Sequence, residues 1–171
     1  YTTFANGGIR CAPLFVTKIE DSHGNVIAKF QPLMTEVISE VSSYQMIDML
    51  RAVIQGGTGS RLRYAYHLTA DMGGKTGTTN NNADGWFMGI TPNLVSGCWV
   101  GGEDRDIHFD HTSMGQGATM ALPVWAYYMQ RVYADKRLGY SQSTKFTMPA
   151  KFNPCQTADT INVNGIQEEY F

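Results

Sequence analysis

The chain has 171 residues, 43% of them apolar, enough for one domain with a real core and too few for two comfortable ones. Its 13 Lys and Arg against 15 Asp and Glu leave a net charge of −2, and no basic cluster marks nucleic acid as a partner. No window approaches the roughly 18 apolar residues of a membrane span, and the start lacks the basic-then-apolar pattern of a signal peptide.

In chain order, "YTTFANGGIR" reads as the end of an element already under way, with Gly7 and Gly8 supplying the stop. Leu14 to Glu20 and Val26 to Phe30 are β-prone, and the turn formers Asp21 to Asn25 between them predict a hairpin. Ser42 and Gln45 have capping-box spacing, and Ile47, Leu50 and Ile54 recur on one face until Gly56 and Gly57, which predicts a helix over roughly Ser43 to Gln55. "GGTGSRLRYAYHLTADM" reads as a loop with a short strand in it.

"GKTGTT", "GWFMGIT" and "LVSGCWVGG" follow, separated by Asn80 to Ala83 and by Pro92 with Asn93. Three short β runs with tight turns predict an antiparallel meander. Neither face of the second and third runs is clearly polar, so the sheet is expected to carry helices on both faces, an α/β (α+β) arrangement. Trp125, Tyr128, Met129, Val132 and Tyr133 form one helical stripe, with Pro123 near its first turn, and read as core. After Lys136 the sequence turns polar, and residues 136–171 are expected to be a loosely packed tail. Cys11, Cys98 and Cys155 are widely spaced and odd in number, and read as buried or incidental thiols. No metal or other cofactor is expected.

The lone Lys75 in "GGKTGTTNNNADGWF" poses the functional question. A phosphate loop fits only half the pattern: its leading glycine falls on Thr69, and "GTTNNN" is no helix start. A solvated surface lysine is the plain alternative. On a strand, Lys75, Gly77 and Thr79 face one way while Thr76 and Thr78 face the other. Glycine at 77 lets a ligand come close. At a sheet edge, the free backbone groups can pair with an extended peptide, and the hydroxyls and ammonium can hold its terminal carboxylate.

"GKTGTT" followed by "ADGWFMGITPNLVSGCWVGG", preceded by "FANGG" and "GGTGSRL" and followed by the "PVW" helix start, resembles the C-terminal part of the transpeptidase domain of bifunctional, class A penicillin-binding proteins. The resemblance covers Tyr1 to Asp135. That family uses a serine with a lysine three residues on, a second serine near an asparagine, and lysine-threonine-glycine on an edge strand. Only the third is present: no S-x-x-K and no S-x-N occurs, and Ser60 gives S-x-x-R. The resemblance therefore implies a fragment whose nucleophile lies upstream of Tyr1 in a membrane-anchored parent on the outer side of the cytoplasmic membrane.

It implies, further, that Lys75 raises the positive potential of the cleft and biases proton transfer, and that Thr76 and Thr78 bind the carboxylate of a D-alanyl-D-alanine stem peptide or of a β-lactam. The Thr78 amide is the implied oxyanion donor, Gly77 the low wall, and Thr79 a further substrate contact. The parent would cross-link peptidoglycan through a serine acyl-enzyme. A carboxypeptidase or β-lactamase of the same superfamily, and a non-catalytic peptide-binding or assembly module, stay as alternatives. His67, His108 and His111 read as surface groups, "GGEDRDIHFDH" as a solvated turn, and Asp84 and Trp86 as neighbours of the site. In the family, the strand matching "LVSGCWVGG" pairs outward with a strand from the domain's N-terminal part. The expectation is therefore an open edge, exposure among Phe87, Val95 and Trp99, and either self-association or a companion chain carrying the upstream half of the domain.

Overall fold

A computed structural model describes residues 1–152 of the chain. Its centre is an antiparallel sheet of β5 (Gly73–Thr78), β6 (Asp84–Thr91) and β7 (Leu94–Gly101), in that order. Thr76 lies opposite Phe87, and Trp86 opposite Trp99. This is the meander expected from the sequence. Lys75 sits inside β5 rather than between a strand and a helix, so the chain does not adopt phosphate-loop geometry. The β5–β6 turn places Asn81 and Asn82 at φ 60° and 55°, a left-handed conformation that asparagine tolerates better than other residues with side chains. That accounts for asparagines in the run after Thr79.

One face of the sheet is covered by α5 (Gly117–Ala134), through Ala118, Ala121, Leu122, Trp125, Ala126, Met129 and Val132. The helix starts six residues before Pro123, so the proline lies inside it rather than in its first turn, and the Thr119 carbonyl loses its i+4 donor. Tyr128 turns outward, whereas Trp125, Met129 and Val132 are core as expected. Small residues and leucine at 118, 121 and 122 widen the buried stripe beyond the aromatic positions that first draw the eye. Trp125 meets Phe87 edge-on at 5.0 Å between ring centroids, and its indole N–H donates to Ser96 Oγ at 2.8 Å. A Cβ on Gly89 would run into the Trp125 ring, so this glycine sets how closely helix and sheet approach. Phe87 is 0% exposed, against the expectation of exposure, because α5 lies within the chain itself.

The opposite face is covered only in part. Helix α2 (Glu40–Gln55) packs Ile47 and Leu50 against Ile90, joined by Phe4, Val95 and Phe146. Val95 is half-buried there, while Trp86 and Trp99 remain 46% and 48% exposed. Helix α2 begins three residues earlier than expected, because Ser39 rather than Ser42 is the N-cap and accepts from the Ser42 N–H at 3.1 Å. Such a cap stabilises a helix by about 1 kcal/mol. The following loop contains a short helix, α3 (Arg61–Tyr64), where a strand was expected.

At the N-terminus, α1 (Thr2–Ala5) stops before Gly7 and Gly8, both at positive φ. The predicted hairpin is present as β2 (Lys18–Glu20) and β3 (Val26–Lys29), its first strand shorter than the β-prone run, and β1 (Ile9–Cys11) pairs with β4 (Met34–Glu36). Cys11 is exposed, Cys98 is half-buried with its thiol pKa pushed up by burial, and Cys155 lies outside the described residues. The tail is not loose where it is described: Gln142 and Phe146 bond back to residues 69–71, and Phe152 stacks edge-on against Tyr44. Residues 153–171 lie outside the described region.

Gly89→Ala is expected to lower unfolding stability by about 1–3 kcal/mol, the usual cost of overpacking a tight contact, measured as a shift in the denaturant midpoint. An unchanged midpoint would show that α5 does not rest on the sheet at Gly89.

Candidate active site

Among the described residues, strand β5 has a ladder partner only on the β6 side. The Thr79 N–H donates to the Asp84 carbonyl at 3.1 Å, which makes Thr79 and Asp84 a hydrogen-bonded pair. Antiparallel pairing alternates, so Lys75 and Gly77, in the same phase as Thr79, bond to β6. Thr76 and Thr78 then aim their N–H and C=O groups at the free edge. Side chains follow the other alternation: Lys75 and Gly77 share a face with Met88 and Trp86, whereas Thr76 and Thr78 share the α5 face with Phe87 and Gly85.

The five residues singled out in the sequence lie along this edge, but they do not point the same way. The Thr78 hydroxyl accepts from the Gly117 N–H at 3.1 Å. That N–H is one of the orphan donors of the first turn of α5, so the helix N-terminus is fixed on the strand. The hydroxyl hydrogen of Thr78 stays available to donate outward. Thr76 shares a hydroxyl–hydroxyl bond of 3.1 Å with Thr58, from the loop after α2. Lys75 Nζ donates to the Thr76 carbonyl at 2.9 Å and takes part in none of the ion pairs among the described residues. Thr79 closes the strand, with its hydroxyl donating to the Asp84 carbonyl and accepting from the Asp84 N–H. The arrangement is an anion-seeking edge: an exposed ammonium, two hydroxyls, two outward amides and the positive end of an 18-residue helix.

Gly77 is not required by internal packing. A Cβ there would meet only Trp86 Cβ, at 3.3 Å, within 4 Å. Gly117 is different, because a Cβ on it would strike the carbonyls of both Gly77 and Trp86. Sequence reading did not single out Thr58 or Gly117. "GGTGS" was the only signal for the former, and the latter is visible only once α5 is seated.

The other candidates are not drawn in. His67, His108 and His111 are exposed, and no group of three or more His, Cys, Asp or Glu among the described residues is arranged to hold a metal. The acidic segment after β7 folds over the β5–β6 turn, where Asn82 Nδ2 donates to the Phe109 carbonyl at 3.1 Å. Asp84 accepts and donates through its backbone to Thr79.

Residues 1–96 match the family model described as the penicillin-binding protein transpeptidase domain. The chain belongs to the penicillin-binding transpeptidase family. It is 39% identical over 132 residues to penicillin-binding protein 1A of Aquifex aeolicus, covering 77% of this chain and 17% of that protein. Over 140 residues it is 39% identical to penicillin-binding protein 1A of Neisseria lactamica, with 76% and 16% covered. The crystal structure of penicillin-binding protein 1A from Haemophilus influenzae superposes with a TM-score of 0.70 at 25% identity, over 88% of this chain and 27% of that one. The D,D-transpeptidase domain of a peptidoglycan glycosyltransferase from Eggerthella lenta shares the fold, with a TM-score of 0.52 at 22% identity over 76% and 30%. The chain thus spans about one sixth of the length of these curated relatives.

Gly77→Ala is expected to leave the melting temperature within a few degrees of wild type, since only Trp86 must give way. A collapse of melting would show that the glycine serves packing instead.

Proposed function

We propose that the chain supplies the substrate-carboxylate and oxyanion edge of a D,D-transpeptidase that cross-links peptidoglycan stem peptides and is acylated by β-lactams. The observation that carries this reading is the free edge of β5, where Thr76 and Thr78 turn their amides outward and carry their hydroxyls close by on the α5 face, with the exposed ammonium of Lys75 next to them on the strand. A peptide ending in D-alanyl-D-alanine would add itself along that edge as a strand. Its terminal carboxylate would sit by the hydroxyls of Thr76 and Thr78 in the field of Lys75, and Gly77 and Thr79 would bound the channel.

The Thr78 amide is assigned as an oxyanion donor. It is fixed in the strand before reaction begins, so it stabilises the developing charge without reorganising, and one such donor contributes about 3 kcal/mol to the transition state. The nucleophilic serine and its lysine belong to the rest of the parent, consistent with the share of the relatives that this chain spans. That remainder is the partner proposed for the uncovered Trp86 and Trp99 face, and without it the open edge of β7 is expected to promote self-association. Among the described residues no helix is long and apolar enough to cross a membrane. On this reading the parent's site works on the extracytoplasmic face, with the anchor outside these residues.

Incubating this chain alone with a labelled penicillin is expected to give no covalent mass increase, because acylation needs an activated hydroxyl. A stoichiometric adduct on intact-mass measurement would place a nucleophile within these residues and overturn the assignment. In the full-length parent, Lys75→Ala is expected to slow acylation at least roughly tenfold, one unit on the 1.4 kcal/mol scale, with melting nearly unchanged. Normal acylation of that variant would remove Lys75 from the site and favour a non-catalytic peptide-binding role for the edge.

A further inference from the structure

The end of β5 opposite its functional edge is held by an unusual set of contacts. Gln142, from the segment after α5, accepts with its one Oε1 from the Thr69 N–H at 2.7 Å, the Thr69 hydroxyl at 3.1 Å and the Ala70 N–H at 3.2 Å. Asp71 is 7% exposed and is held from two directions. Its Oδ1 accepts from Arg51 Nε of α2 at 2.8 Å, and its Oδ2 accepts from the Phe146 N–H at 3.1 Å. Arg51 is itself fixed by Asp48, one turn back, at 3.1 Å. Phe146 packs into the Ile47, Leu50 and Ile90 cluster, and Phe152 lies against Tyr44, 4.6 Å between ring centroids.

We propose that residues 139–152 form a brace that sets the position of the Lys75 strand, with Gln142 and Asp71 as positioning residues acting through residues 69–73. The inference rests on the role proposed above for β5. The mechanical reason is the strand's place at the sheet edge. A central strand is fixed by two ladders, but among the described residues β5 has one, to β6. Its upstream end enters between α2 and the brace, and Lys75 follows Asp71 by four residues of extended chain. The ties between residues 69–71 and the tail are directional hydrogen bonds, three to Gln142 Oε1 and one from the Phe146 N–H to Asp71 Oδ2, so the brace restrains position as well as adding burial. Reaction is sensitive to such restraint, since a displacement of about 1 Å at a reacting group costs about a hundredfold in rate.

The test uses the full-length parent. Gln142→Leu removes the triple acceptor, and Gln142→Glu keeps acceptor oxygens in the same place. Penicillin acylation is resolved into its binding constant and its first-order acylation rate, beside thermal melting and hydrogen exchange of the β5 and β7 amides. The expected result is an acylation rate lowered about 10- to 100-fold in Gln142→Leu, faster exchange in β5 but not in β7, melting within a few degrees, and recovery of the rate in Gln142→Glu. Asp71→Asn, which keeps an acceptor for the Phe146 N–H but loses the charge facing Arg51, is expected to shift the rate and the exchange in the same direction. It serves should Gln142→Leu fail to fold. An unchanged acylation rate with unchanged β5 exchange would overturn the brace, as would a loss of protection shared equally by β5 and β7. Lys75→Ala run in parallel separates the two ideas: its normal acylation counts against the reading of the strand, whereas the exchange comparison bears on the brace alone.

Discussion

The close seating of α5 on the sheet is the constraint from which the rest of the structure follows. Trp125 fills the space above Gly89, and Gly117 brings the first turn of the helix against the carbonyls of Gly77 and Trp86. Side chains at either glycine would hold the helix away. Because it is not held away, the Gly117 N–H reaches the Thr78 hydroxyl, and packing in the core is converted into a fixed orientation at the strand edge. The same contact buries Phe87 and joins the far end of the helix to the core formed by Leu62, Leu68 and Met72.

The sheet has two different edges and two different faces, and the reading of its function rests on that asymmetry. Strand β5 is anchored at its start and open along Thr76 and Thr78, where backbone groups face outward. The face carrying Lys75 is buried near Ile90, where α1 and α2 cover it, and open near Trp86 and Trp99. An apolar, partly uncovered surface next to an anion-seeking edge is the shape expected of one wall of a cleft.

Much of this was legible in the sequence, for identifiable reasons. The three strands of the meander were bounded by asparagine, proline and glycine, whose backbone preferences are strong and local, and they were placed correctly. So was the hairpin at residues 18–29, though its first strand is shorter than its apolar run. Helix starts are less legible. Ser42 and Gln45 imitate a capping box, but Ser39 takes the cap because a hydrogen-bonding hydroxyl is available one turn earlier. Pro123 suggested a first turn that in fact lies at Gly117. The short helix after Ser60 and the brace after Lys136 depend on contacts with residues far away in the chain, which local composition does not record. For the site, the lysine, the threonines and Gly77 stood out through their residue types. Thr58, Gly117, Asp71 and Gln142 did not, because each acts through a partner at least 18 residues distant.

The central claim, that the free edge of β5 receives the substrate carboxylate and the reacting carbonyl, is tested most directly by a crystal structure of the full-length parent acylated by a penicillin. The account expects the β-lactam carboxylate within hydrogen-bond reach of the Thr76 and Thr78 hydroxyls, and the acyl oxygen about 2.7–3.1 Å from the Thr78 amide. An acyl-enzyme in which the ligand lies away from β5, with the Thr76 and Thr78 amides facing solvent, would contradict it.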